Sequence, residues 1–226
     1  MCSRENLKKN LSGKVYIVTG TTSGIGLEIV KQLASQSAEI VCACRNTEAS
    51  KKISETILVN NPKSSIKTIP LNLDSLNSVR DFIKVFLDNF DRLDGLINNA
   101  AVMNTPKSFT QDGFELQLGT NFLGHFLLTE LLLPILKKNK DGRIIHTSSV
   151  FHEKGLINLE DFNFKKRKYS GWEAYYQSKL AQVLYSRHQA KLLKNSNITS
   201  VSIHPGWVQT PLIKHTLPVF FQDYLL

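Results

Sequence analysis

Thr19-Gly20-Thr21-Thr22-Ser23-Gly24-Ile25-Gly26 decides the reading of this chain because of what flanks it. An apolar run, Val15 to Val18, precedes it and an amphipathic stretch begins at Leu27, so the sequence spells strand, glycine turn, helix start. Residues without a Cβ let the backbone turn sharply and approach a pyrophosphate, whose charge is favoured by free N–H groups at a helix N-terminus. Gly20, Thr22, Ser23, Gly24, Ile25 and Gly26 are therefore candidate dinucleotide contacts. The same spacing also occurs in turns that only pack a helix on a strand, so the rest of the chain must decide.

Outward from this turn, apolar runs alternate with helical periods. Strands are expected near Val15–Thr19, Ile40–Cys44, Ile66–Pro70, Gly95–Asn98, Arg143–Ser148 and Thr199–Ile203, and helices near Gly24–Ser35, Glu48–Leu58, Ser75–Phe90, Phe114–Lys137 and Trp172–Leu193. In the third helix Val79, Phe82, Ile83, Phe86 and Phe90 recur at three- and four-residue spacing, a stripe that belongs to the core. The order predicts an α/β fold, a doubly wound parallel sheet of Rossmann type, which binds ligands beyond the carboxyl ends of its strands. The connection Phe151 to Gly171 exceeds the usual loop length, the mark of a functional or mobile segment.

The 226 residues, 42% hydrophobic, suffice for one domain with a full core. The polar N-terminus, residues 1–13, reads as an extension rather than a signal peptide. The longest apolar region, Phe122 to Leu136, is broken by His125, Glu130 and Pro134 and is expected to be too short to span a bilayer. With three cysteines that cannot all pair and no metal-ligand spacing, the expectation is a cytoplasmic protein without a metal. The net charge of +9 and the cluster Lys165-Lys166-Arg167-Lys168 raise nucleic acid or an acidic membrane as partners. No nucleic-acid module accompanies the cluster, so a solvated loop is the simpler reading.

The second strand ends at Arg45, where an NAD site would place a carboxylate for the ribose 2′-hydroxyl. A guanidinium there attracts the 2′-phosphate of NADP, and no acid follows until Glu48, so NADP(H) is favoured over NAD(H). Tyr175 and Lys179, four apart on a helix, share a face. Chance produces such pairs, and this one gains its weight from company: Asn98-Asn99-Ala100-Ala101 ends the fourth strand, Asn121 opens an apolar helical stretch, Ser148 and Ser149 end the fifth strand, and His204-Pro205-Gly206 follows the sixth.

Taken together and in order, these motifs resemble the short-chain dehydrogenase/reductase family from about Gly13 to Thr210. Ala43 to Asn46, Asn121 to Thr129, Ser148 to Val150 and Ala174 to Ala181 are similar to its retinol-dehydrogenase-like branch. The resemblance implies an oxidoreductase in which Tyr175 is the acid/base and Lys179 stabilises its phenolate and holds the ribose hydroxyls. It makes Ser149 the residue that bonds the substrate oxygen, and Asn121 the support of a water connecting Lys179 to solvent. Asn72, Asn99, Pro205 and Gly206 join the cofactor contacts. The implied partner is a small apolar alcohol or carbonyl, of the retinoid, steroid or lipid aldehyde class, and peripheral membrane contact is compatible with it.

Three departures accompany the resemblance. Ala101 stands where the family has glycine, and Asn72 stands where an aspartate usually accepts from the adenine amine, an acceptor without charge. After Thr210 the chain runs only to Leu226, so residues 211–226 are expected to form a shortened substrate lid, with the last strand and helix of the fold lacking. A weakly active or non-catalytic, cofactor-binding or interaction protein is thus the alternative to an enzyme.

Overall fold

Residues with β-branched and small apolar side chains, buried on both faces, form the centre of a parallel sheet. The computed structural model describes residues 5–206 together with Val208, Thr210 and Leu212. Its elements run β1 (Val15–Thr19), α1 (Gly24–Ser35), β2 (Glu39–Cys44), α2 (Thr47–Asn60), β3 (Ser65–Pro70), α3 (Leu76–Asn89), β4 (Gly95–Asn98), α4 (Leu116–Leu118), α5 (Gly124–Leu136), β5 (Gly142–Thr147), α6 (Gly171–Leu192) and β6 (Ile198–Ile203). The six strands lie in the order β3-β2-β1-β4-β5-β6, every pair parallel. The order reverses between β1 and β4, which creates a crevice at the carboxyl ends of those strands.

Alternation along each central strand assigns its side chains to two cores. Ile17, Val41 and Leu96 face Phe82 and Phe86 of α3 and Leu128 and Leu132 of α5. Val18, Ile40, Cys42 and Ile97 face Val30 and Ala34 of α1 and Ile57 of α2. The expected stripe of α3 is buried, with the Phe86 and Phe90 rings stacked at 4.9 Å between centroids. Side-chain caps fix three helix starts: Asn46 accepts from Ala49 N–H, Ser75 from Ser78 and Ser170 from Glu173.

The helix expected over Phe114–Lys137 is interrupted. Glu115 caps α4 by accepting from the N–H groups of Gln117 and Leu118, and Gly119–Leu123 forms a π turn in which Gly124 N–H bonds to Gly119 O. The reading of this region as too short for a membrane also changes. Leu116–Leu136 is one helical run of 21 residues, long and apolar enough by length and composition. Half of its most apolar window is buried within the fold, where Leu128 and Leu132 join the core of the sheet.

The long connection after β5 is tied down. Val150–Lys154 forms a 3-10 turn, and buried Asp161 accepts from the N–H groups of Lys165, Lys166 and Arg167. The Arg167 guanidinium lies 3.7 Å from the centroid of the Phe164 ring, and Tyr169 donates to Glu115. The basic cluster is therefore partly structural. Among the described residues β6 forms the sheet edge, with Val201 and Ile203 exposed. Residues 211–226, expected as a shortened lid, lie outside the described residues apart from Leu212.

Candidate active site

The site begins where β1 stops. Gly20 has φ +71°, and a Cβ there would stand 2.9 Å from Ala100 Cα, while a Cβ on Gly26 would come within 2.1 Å of Gly20 O. Only glycines permit this approach of the turn to β4 and of α1 to the turn. Ser23, extended at the start of α1, makes no side-chain cap, so the helix N-terminus is left as an anion site. Asn99 braces the turn by donating through Nδ2 to Thr19 O at 3.0 Å and Gly20 O at 3.3 Å.

Thr19 Oγ1 accepts from the N–H groups of Asn99 and Ala100, both at 2.9 Å, and meets His125 Nε2 at 2.9 Å. His125 Nδ1 lies 2.9 Å from the Asn121 carbonyl, which can only accept. The imidazole therefore carries its proton on Nδ1 and accepts from the threonine hydroxyl at Nε2. This neutral form agrees with burial, which brings His125 down to about 3.

A cleft of about 820 Å³ opens above these groups. Gly20, Thr22, Ser23, Gly24, Ile25, Arg45, Asn72, Asn99, Ser149, Tyr175, Lys179, Pro205 and Gly206 all line it. Arg45 and Asn72 follow β2 and β3, and Ser149 and Pro205-Gly206 follow β5 and β6, on opposite sides of the crevice between β1 and β4. Gly26 and Asn121 are not part of the lining: Gly26 packs against the turn and Asn121 is buried. Arg45 is exposed and has no carboxylate partner among the described residues, since Glu48 pairs with Lys51. Asn72 Nδ2 donates to Asp74 at 2.6 Å, which leaves Asn72 Oδ1 as an uncharged acceptor.

At the opposite end the two serines separate. Ser148 Oγ donates to Lys179 O at 3.0 Å and is committed to helix α6, whereas Ser149 caps the following 3-10 turn and hydrogen-bonds Tyr175. Tyr175 is buried against Phe151 and Trp172, with ring centroids 6.4 and 6.5 Å away. Burial pushes its phenol above the ordinary value, and the Ser149 bond opposes this only in part. Lys179 Nζ, 5.6 Å from the Tyr175 ring centroid, is itself brought down to about 7 by burial.

Lys179 donates to Thr147 O at 2.8 Å and to Gln182 Oε1 at 3.0 Å. Asn121 uses its side chain as a clamp: Oδ1 accepts from Val102 N–H at 2.8 Å, and Nδ2 donates to Val102 O at 2.9 Å and Ser178 Oγ at 3.0 Å. Its carbonyl accepts from Gln182 Nε2 at 2.9 Å. Sequence reasoning missed His125 and Gln182. Their signals were the i,i+4 spacing from Asn121 and the i,i+3 spacing from Lys179.

A glycine turn, a strand-end serine and a Tyr-Lys pair on one cleft of a doubly wound sheet agree with the sequence comparison, in which residues 14–218 match the short chain dehydrogenase family. The chain belongs to that family. This short chain dehydrogenase is similar to retinol dehydrogenase 13 of Mus musculus, at 41% identity over 92% of its length, and spans 63% of the length of that protein. A crystal structure from Mycobacterium Paratuberculosis matches it with a TM-score of 0.79 at 38% identity, covering 88% of this chain and 70% of the other. The RhlG/NADP active-site complex of Pseudomonas aeruginosa matches with a TM-score of 0.74 at 25% identity, covering 95% and 81%. Members of the family are oxidoreductases that bind a nicotinamide cofactor.

Proposed function

We propose that this short chain dehydrogenase is an NADP(H)-dependent oxidoreductase acting on a small apolar alcohol or carbonyl. The observation that carries this reading is that Tyr175, Ser149 and Lys179 converge on the same cleft as the glycine turn and Arg45. The residues present fit a dinucleotide. The uncapped α1 terminus suits a pyrophosphate, Arg45 a 2′-phosphate, and Asn72 Oδ1 the adenine amine. The nicotinamide, when bound, supplies or takes up the hydride.

The chain's own residues handle the proton. Ser149 and the Tyr175 hydroxyl would both bond the reacting oxygen, Tyr175 giving its proton to a carbonyl in reduction and taking one from an alcohol in oxidation. A phenol raised by burial is seldom ionised near neutral pH, so little phenolate is on hand to take a proton. Lys179, joined by the positive charge that an oxidised nicotinamide would supply, would counter that burial and favour the phenolate when oxidation requires it. Phe151, Trp172, Val102 and Met103 give this end of the cleft an apolar lining, which supports an apolar substrate such as a retinoid, steroid or lipid aldehyde.

Calorimetric titration of the 226-residue chain with NADPH and NADH, followed by a panel of apolar aldehydes with NADPH loss monitored, tests the reading. Tighter NADPH binding with turnover is expected. Binding without turnover would overturn the catalytic assignment, and no binding by folded protein would overturn the cofactor assignment.

A further inference from the structure

Gln182 is buried on α6, one turn beyond Lys179, and makes two hydrogen bonds with no freedom of assignment. The Asn121 carbonyl can only accept, so Nε2 must face it, which leaves Oε1 to accept from Lys179. No carboxylate pairs with Lys179 among the described residues. The ionisable groups around it are Tyr175 on its own helix and His125 on α5. His146 on β5 faces Gln189 and Tyr185 instead.

We propose that Gln182 is a positioning residue of the site, clamping the Lys179 ammonium and tying it to the Asn121 carbonyl of the π turn. Lys179 is thereby held by the Thr147 carbonyl and an amide, both uncharged. Uncharged acceptors hold the ammonium in place without neutralising it, so its field remains available to a phenolate on Tyr175. Glutamate at 182 would hold the ammonium as firmly and cancel that field. An apolar side chain of the same length would leave the ammonium short of an acceptor.

This inference rests on the oxidoreductase reading for its meaning, and its test does not depend on turnover. In cofactor-free protein carrying carbon-13 at the lysine ε position, the Lys179 resonance is the one that Lys179→Arg removes, and its shift is followed against pH. Gln182→Glu should raise the Lys179 titration by about one pH unit or more, and Gln182→Met should lower it by about one unit. Gln189→Met, which removes another buried glutamine of α6, should leave it in place. If Gln182→Met does not fold, Gln182→Asn, too short to reach both partners, replaces it with the same downward shift expected. Unmoved titrations, shifts of a single sign, or an equal shift in Gln189→Met would each overturn the proposal by reducing Gln182 to packing. Absence of turnover in the unaltered chain would refute the oxidoreductase reading and leave the titration result standing.

Discussion

Tyr175 and Lys179 lie one helical turn apart, yet burial acts on them in opposite senses, raising the phenol and lowering the ammonium. Each change disfavours charge, so burial opposes both the phenolate and the ammonium until another charge joins the pair. Tyr175→Phe should lower turnover by about 10²–10⁴-fold and leave the NADPH dissociation constant within about twofold, as read by calorimetry beside steady-state kinetics. Arg45→Asp should weaken NADPH binding by about 10–100-fold and reverse the preference over NADH, since it removes a charge-assisted contact and adds a like charge. A retained NADPH preference would remove Arg45 from cofactor selection. At this scale the sequence was legible for the side chains that line the cleft, Arg45, Asn72, Ser149, Tyr175 and Lys179. It was not legible for His125 and Gln182, because a buried histidine or glutamine within a helix has the same sequence pattern whether it orders a site or only satisfies a neighbour.

The glycine turn and its helix are the element on which the cofactor site depends. With 2.1 Å between a Cβ on Gly26 and Gly20 O, Gly26→Ala must push α1 away from the turn. Loss of about 1–3 kcal/mol of stability in urea unfolding is expected, together with loss of NADPH binding. Phe86→Ala in α3, remote from the cleft, should cost about 3–5 kcal/mol and leave the affinity of the folded fraction intact. Strands and helices were legible to within a few residues because alternation and the 3.6 period both report burial. The break at Gly119–Leu123 was not legible, because a π turn differs from an α turn by one residue of hydrogen-bond register and no side chain in Gly-Thr-Asn-Phe-Leu declares it.

Across the whole molecule, buried bases tie stability to pH. His125 and His146 are brought down by burial to about 3 and about 4, while in the unfolded chain each titrates near ~6.5. Between those values the unfolded state binds protons that the folded state does not, so stability falls as pH falls, by about 1.4 kcal/mol per pH unit for each group. Lys179, brought down to about 7, acts with the same sign between its ordinary value and neutrality. Urea midpoints should therefore decline from pH 8 to pH 4.5, and His146→Phe should flatten the lower part of that decline. A midpoint constant over this range would mean that the imidazoles are protonated in the folded protein.

Asp161 closes a ring of its own chain by gathering three successive amide groups, and Arg167 lies across Phe164 inside that ring. Fixing a residue's backbone forfeits about 1–2 kcal/mol of conformational entropy, and for this segment the loss is incurred during folding. Through Tyr169 and Glu115 the ring is joined to the start of α4, beside the cleft lining. A molecule entering that cleft meets on this side a wall already in order, and contact with that wall carries little deduction for organising it.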